Sequence, residues 1–277
     1  MARDHMSARE TCGLRTCRSP VSRPNVVGMT STDSSRRVLV TGAASGIGLA
    51  CAARFAGAGD EVTVLDKDAD QVERVANDLG AKALVCDLLD IDRVAAIDLD
   101  VDIVINNAGF QHVAPIESFP HQKFAQILAL MLQAPFVLAQ SVLPHMYDRG
   151  FGRFVHISSV HGHRASAFKA GYVTAKHGLE GLSKAIAIEG AAHGVTSNTI
   201  APGFVRTPLV ENQIADQAQA HGIQPDQVVS DVLLARTPVK RLLEPDEVAR
   251  LAQFMCGPGS DSITGASYDM TGGWTAA

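Results

Sequence analysis

From Arg37 onward, short apolar runs alternate with longer stretches in which apolar residues recur every three or four positions. "RVLVTG" (37–42), "EVTVLD" (61–66), "AKALVCD" (81–87), "VDIVINNAG" (101–109), "GRFVHISS" (152–159), "VTSNTIAPG" (195–203) and "ASYDM" (266–270) have the length and β-branched content of strands. Helical periodicity separates them: about 46–57, "DADQVERVANDL" (68–79), long helices across 121–149, "AGYVTAKHGLEGLSKAIAIEGAAHG" (170–194) and "PDEVARLAQFMCG" (245–257). The stretch 204–243 shows no settled period and is expected to cover the substrate. Strands alternating with helices predict βαβ units, and right-handed crossovers put helices on both faces of a parallel sheet. The expectation for 37–277 is one doubly wound α/β domain with a mainly parallel, seven-stranded sheet.

Residues 1–36 break this pattern. "RETCGLRTCRSPVSRP" (9–24) and "STDSSRR" (31–37) are rich in Arg, Ser and Pro without apolar period, so this part reads as a disordered tail. It lacks the apolar core of a secretory signal, and Met29 points to an internal start. The apolar run "FAQILALMLQAPFVLAQSVLPHM" (124–146) is interrupted by Gln126, Gln133, Pro135 and Gln140, too polar for a membrane span. A buried or interface helix pair is expected there. A net charge of −5 gives no reason to expect nucleic acid or an anionic membrane as partner. The five cysteines, an odd number, form no CxxC, which favours a reducing, cytoplasmic setting with Cys51 and Cys86 as small buried hydrophobes.

Candidate chemistry gathers where strands end. "TGAASGIG" (41–48) joins the first strand to the first helix: Gly42, Gly46 and Gly48 permit a tight turn, and the helix N-terminus offers N–H groups to a pyrophosphate. The next strand ends at Asp66, the expected place for an acid that binds both ribose hydroxyls and repels a 2′-phosphate; the loop carries no Arg or Lys, so NAD is expected rather than NADP. This is a Rossmann pattern. Asp87 follows the third strand, Asn107, Ala108 and Gly109 follow the fourth, and Ser158 and Ser159 the fifth. Tyr172 and Lys176 lie one helical turn apart, and an ammonium beside a phenol favours phenolate. "HGH" (161–163) has no further ligands beside it, so no metal site is expected.

TGxxxGIG, NNAG, Ser and YxxxK in this order and spacing resemble the short-chain dehydrogenases/reductases, from about Arg37 to the C-terminus and including "PGFVRTP" (202–208) and "ITGASYDMTGGW" (263–274). The resemblance implies Tyr172 as acid/base, Ser159 orienting the substrate oxygen, and Lys176 lowering the tyrosine pKa and binding the nicotinamide ribose. It also implies a cofactor set that adds Ser45, Ile47, Pro202, Gly203, Val205 and Thr207, and a tetramer built through helices at about 133–149 and 170–193. "NAGFQHVAPIESFP" (107–120), "SSVHG" (158–162), "KAGYVTAKHG" (169–178) and "TPLVENQI" (207–214) look like bacterial D-3-hydroxybutyrate dehydrogenases. That resemblance implies a short hydroxy/keto acid as small-molecule substrate, its carboxylate met by Gln111, His161, Lys169 and Gln213. A small acid offers little apolar area, so a cation and several donors must hold its carboxylate.

Two residues depart from the pattern. Phe204 stands where such enzymes often carry Trp, which is expected to loosen the pocket. Met131, in "ALMLQAPF", stands where the resemblance expects an Asn that holds a water linking the lysine to bulk solvent, and a thioether cannot donate. Pro135 inside the same helix predicts a kink or a new start. The leading expectation is an NAD-dependent dehydrogenase of D-3-hydroxybutyrate or a close short-chain 3-hydroxy acid. The alternatives are a dehydrogenase of another small alcohol or ketone, and an NAD(H)-binding regulator without turnover because of Met131.

Overall fold

Seven strands carry the apolar runs: β1 (Arg37–Thr41), β2 (Glu61–Asp66), β3 (Lys82–Val85), β4 (Ile103–Asn106), β5 (Gly152–Ile157), β6 (Val195–Pro202) and β7 (Ser267–Met270). They form one sheet in the order β3-β2-β1-β4-β5-β6-β7, and every neighbouring pair is parallel. The computed structural model describes residues 35–276, apart from the side chains of 213, 215–217 and 219–221.

Strand alternation sorts the core into two layers. On one face Val38 and Val40 of β1 pack with α1 (Gly46–Gly57), α2 (Ala69–Leu79) and the last helix, α9 (Pro245–Met255), through Phe55, Val72, Ala76, Val248 and Met255. On the other, Leu39 and Phe154 meet the short α3 (Ile91–Ala95) and the helices that follow β4 and β5. The central β4, β5 and β6 are buried throughout, as a sheet covered on both faces requires. Because β1 leads outward to β2 and β3, and β4 starts the opposite half, a crevice opens beyond the ends of β1 and β4. This is where doubly wound sheets bind ligands.

The expected helix across 121–149 is divided into α4 (His121–Leu128), a π-helical turn over Ala129–Gln133, and α5 (Ala134–Arg149). Ala134 N–H bonds to Ala129 O, five residues back, and the buried Pro135 comes next. Proline has no N–H for the following bond, so the wide turn falls where an α-helical ladder would have been broken. By length and composition alone His121–Arg149 could cross a membrane, but Ile127, Met131, Leu138, Val142 and Met146 are buried in the core. α6 (Ala170–Gly190) packs beside it.

The stretch 204–243 contains α7 (Pro208–His221), α8 (Pro225–Gln227) and a second π-helical turn, Val228–Leu233. Val210, Ile214, Val228, Leu233, Leu234 and Leu242 give it a small core of its own, with Phe204 against it. The expected tail falls outside the described residues up to 34. Arg36, however, belongs to the fold: its guanidinium bonds both oxygens of Asp60 and the carbonyl of Cys256. Cys51, Cys86 and Cys256 are buried and free, and burial pushes the Cys51 and Cys256 thiols up to about 12.

Candidate active site

Two adjoining cavities lie over the crevice at the strand ends. The first, about 270 Å³, is walled by the glycine loop, Asn107–Gly109, Ser159, Tyr172, Lys176, Pro202, Gly203, Val205 and Thr207. The second, about 500 Å³, runs past Asp66 to Asp87 and Leu88. Gly42, Asp66, Ala108 and Gly109 line both, so the two form one elongated trough. Every residue of the expected cofactor set touches this trough except Gly48.

Gly48 acts from behind. A Cβ there would lie 2.2 Å from the Gly42 carbonyl oxygen and 2.6 Å from Asn107 Nδ2, so its role is to let α1 close onto the loop. Asn107 ties the same loop down, donating from Nδ2 to the carbonyls of Thr41 and Gly42 at 3.0 Å each. The Thr41 hydroxyl accepts from the backbone N–H groups of Asn107 and Ala108. Ser45 precedes α1 without capping it by its side chain, which leaves the first-turn N–H groups without a side-chain acceptor at the loop that walls the trough. Asp66, at the end of β2, is held by the N–H groups of Ala44 and Asp68 at 3.2 Å. A bare-backbone turn at a helix N-terminus, followed by an anchored carboxylate, fits a dinucleotide.

At the other end, Ser159 closes β5. Its hydroxyl accepts from His161 N–H at 3.2 Å, which opens a short 3₁₀ turn. Lys176 is buried and donates to the Ile157 carbonyl at 2.7 Å. Burial lowers its pKa to about 8 against the opposing field of Glu180. The expectation that Lys176 draws Tyr172 down is not what the structure shows. Burial pushes the Tyr172 phenol up, and the opposing pull comes from the Ser159 hydroxyl. The reason is geometric: the ammonium is turned onto Ile157, 5.5 Å from the tyrosine ring centre.

The expected carboxylate set is only partly assembled. His161 packs edge-on against Tyr172, ring centres 5.9 Å apart, with Nε2 on the Ser166 hydroxyl at 2.8 Å. Burial, with Lys169 and His177 nearby, lowers its pKa to about 4, so at neutral pH it is an uncharged donor rather than a cation. Lys169 is half-buried at the start of α6, three residues before Tyr172, and burial lowers its pKa. Gln111 is half-buried in the loop after β4 and, like His161 and Lys169, lies outside the wall of either cavity. The Gln213 side chain lies outside the described residues. Among the described residues no cluster of His, Cys, Asp or Glu could hold a metal ion.

Other residues shape the site without having been singled out for it. Trp274 stacks on Phe204 (6.3 Å, 6° between planes) and stands edge-on to His161 at 6.1 Å. The chain's one tryptophan, directly after two glycines, was the available signal. Ser166, which fixes His161, carries none. Phe168 has φ 67°, rare for a bulky residue, and its carbonyl accepts from Ala114 N–H, joining the loop after β4 to the start of α6 just before Lys169.

Met131 lies within the π-helical turn, 1% exposed, packed with Phe119, Ile127 and Ala175, and it reaches the cavity wall. A Cβ on Gly109 would come within 2.8 Å of its sulfur. Met131→Asn is expected to lower Tm, since losing a buried Met side chain costs about 2–5 kcal/mol. An unchanged Tm in thermal unfolding would show that the Met131 site tolerates a polar side chain.

A family model described as enoyl-(acyl carrier protein) reductase matches residues 42–275. The chain belongs to the short-chain dehydrogenase/reductase family. A D-beta-hydroxybutyrate dehydrogenase of Rhizobium meliloti is 38% identical, covering 87% of this chain and 99% of the relative. One of Cupriavidus necator is also 38% identical over 88% and 99%. An uncharacterized oxidoreductase of Bacillus subtilis is 41% identical over 86% and 97%. Among solved structures, an actinorhodin polyketide ketoreductase with NADPH superposes with a TM-score of 0.82 at 28% identity, over 88% of this chain and 98% of its own. A putative gluconate 5-dehydrogenase of Beutenbergia cavernae with bound NADP gives 0.80 at 32%, over the same shares. The protein is thus a short-chain dehydrogenase/reductase oxidoreductase, with a fold that binds a nicotinamide dinucleotide.

Proposed function

We propose that this oxidoreductase interconverts D-3-hydroxybutyrate, or a close short-chain 3-hydroxy acid, and its ketone with NAD. The observation that carries the reading is Lys169, half-buried one turn before Tyr172 on α6, with a neutral His161 packed on the tyrosine ring. A cation near His161 and an uncharged donor against the tyrosine ring support recognition of a small hydroxy acid, whose carboxylate needs both. In this reading Tyr172 exchanges the proton of the substrate hydroxyl, Ser159 holds that oxygen, and Lys176 binds the nicotinamide ribose and supplies positive charge. The dinucleotide, when bound, accepts or returns the hydride. Two relatives named D-beta-hydroxybutyrate dehydrogenase support the substrate class. The deciding assay follows reduced-nicotinamide absorbance with NAD and the D-acid, with the L-acid and neutral 2-butanol alongside. Turnover of 2-butanol but not of the acid would favour the second reading, a dehydrogenase of another small alcohol, which the placing of Gln111, His161 and Lys169 off the cavity walls also supports.

The NAD preference rests on Asp66. Held by two N–H groups at the end of β2, it would meet a 2′-phosphate with like charge. The unaltered protein is expected to prefer NAD over NADP by more than about tenfold, and Asp66→Ala to narrow the ratio; a tenfold ratio is about 1.4 kcal/mol. Equal kcat/KM with both cofactors would refute this. We further read the enzyme as a cytoplasmic homotetramer, with no nucleic-acid or membrane partner. The exposed Phe136 on α5 and Ile188 on α6 support helix faces that pair with other copies.

A further inference from the structure

The backbone breaks a steric rule at one place. Among the described residues Phe168 is the sole non-glycine with a positive φ, at 67°. Every L side chain resists that region, because Cβ then crowds the following carbonyl oxygen, and only Gly, Asn and Asp enter it readily. Packing of the ring does not explain the exception: Phe168 is 56% exposed and belongs to none of the apolar clusters. What the conformation secures is backbone direction. The Phe168 carbonyl accepts from Ala114 N–H at 3.0 Å. The next residue, Lys169, is the N-cap of α6, and its carbonyl accepts from Val173 N–H at 2.9 Å.

This turn joins two loops that carry candidate substrate residues. The loop after β4 holds Gln111, three residues before Ala114; the loop after β5 holds His161 and ends at Lys169. The first loop is fixed separately at its far end, where Phe119 stands edge-on to His112 and Phe124, with ring centres 5.3 and 6.2 Å apart. Phe119 also abuts α6, since a Cβ on Gly171 would lie 3.3 Å from its Cζ and 3.1 Å from Ile127 Cδ1. Lys169 is therefore held between the Phe168 turn on one side and the close helix contact at Gly171 on the other. Its charge reaches His161, where it disfavours the imidazolium. Strained backbone that its surroundings over-determine is concentrated at ligand sites.

We propose that Phe168 is a positioning residue: its left-handed backbone, tied to Ala114, sets the direction in which Lys169 leaves the start of α6, and with it the point where a substrate carboxylate is met. The use made of Lys169 rests on the hydroxy-acid reading above; its placement by Phe168 does not. A negative φ re-aims the chain that follows, which either parts the Phe168 carbonyl from Ala114 or displaces Lys169. The role needs the backbone conformation and not the ring.

The test varies φ rather than side-chain chemistry. Phe168→Gly and Phe168→Asn enter the left-handed region readily. Phe168→Pro, with φ held near about −65°, is excluded from it, and the β-branched Phe168→Val is strongly disfavoured there. The Phe168 N–H donates to no backbone group among the described residues, so proline breaks no such bond, and either of these two variants carries the test should the other not fold. The first readout needs no substrate: the titration of Lys169 in the full-length protein, followed by NMR of carbon-labelled lysine and assigned by the signal lost in Lys169→Arg. Half-burial holds this ammonium's pKa down. The Gly and Asn variants should titrate with the parent, and the Pro and Val variants should move up toward the free-lysine value of about 10.4. In turnover, Pro and Val should raise KM for D-3-hydroxybutyrate roughly tenfold, with kcat little changed and 2-butanol unaffected. In a Lys169→Ala background they should add nothing to KM. A Lys169 midpoint in the folded Pro or Val variants equal to the parent's, or Gly and Asn variants as impaired as these, would overturn the assignment. A displaced midpoint with an unchanged KM for the acid, or in a protein that does not oxidise it, would leave the placement of Lys169 standing and refute the hydroxy-acid use of it.

Discussion

Tyr172→Phe is expected to lower kcat for the oxidation of D-3-hydroxybutyrate by about 10²–10⁴-fold, the range of a general acid–base contribution. Dinucleotide binding should be largely preserved, because the trough from the glycine loop to Asp66 and Asp87 does not depend on the phenol oxygen. The unaltered enzyme should show a pH profile of definite sign. Oxidation needs the phenolate, and burial holds the Tyr172 pKa above its ordinary value, so the rate should climb as pH rises through the neutral and mildly alkaline range. Reduction needs the neutral phenol and should be level at low pH and fall at high pH. Lys176, with a pKa of about 8, is cationic at pH 7 and loses that charge over the same alkaline range, so the profile reports the pair rather than either residue. A Phe variant retaining more than about a tenth of the rate would remove Tyr172 from proton transfer, since general acid–base loss is larger than that.

The parts of this molecule that could be read in advance are those set by short-range pattern. Val38 to Val40, Val62 to Leu65 and Ile103 to Ile105 announce buried parallel strands because both their faces must be apolar. The glycine loop and Asp66 fall into place because strand–turn–helix geometry fixes where their backbones point. What escaped the sequence depends on contacts between distant elements. The tyrosine and lysine were visible as an i, i+4 pair, yet the lysine's hydrogen-bond partner is the carbonyl at the end of β5, which helix spacing cannot name. Pro135 announced a disturbance in the long helix. It takes the form of a π-helical turn, in which Ala134 N–H reaches Ala129 O and Met131 is buried against Ala175. The resemblance sets His161 near the substrate, whereas its neutrality comes from burial and from Lys169. Glu180 carries no signal in the sequence, because an acid four residues after a lysine is usually half of an exposed pair. Only the packing of α6 against β6 and β7 buries it.

Lys169→Ala is expected to produce the largest effect on substrate affinity. Removing one partner of a buried, hydrogen-bonded charge pair costs about 2–5 kcal/mol. Lys169 is half-buried, so solvent screens part of that interaction and the lower end applies: a rise of roughly thirtyfold in KM for D-3-hydroxybutyrate, about 2 kcal/mol. His161, uncharged at neutral pH, cannot replace the lost cation. The kcat should change much less than KM, since Tyr172, Ser159 and Lys176 remain in place and the lysine meets the carboxylate in ground and transition states alike. Neutral 2-butanol, having no carboxylate, should be unaffected. A pH signature separates this from a general loosening of the loop. Burial lowers the Lys169 pKa, so the KM of the unaltered enzyme should begin to rise at a lower pH than a free lysine would dictate, and that rise should vanish in the variant. An unchanged KM for the acid, or a parallel rise for 2-butanol, would take Lys169 out of the carboxylate site and leave the enzyme as a reductase of neutral substrates.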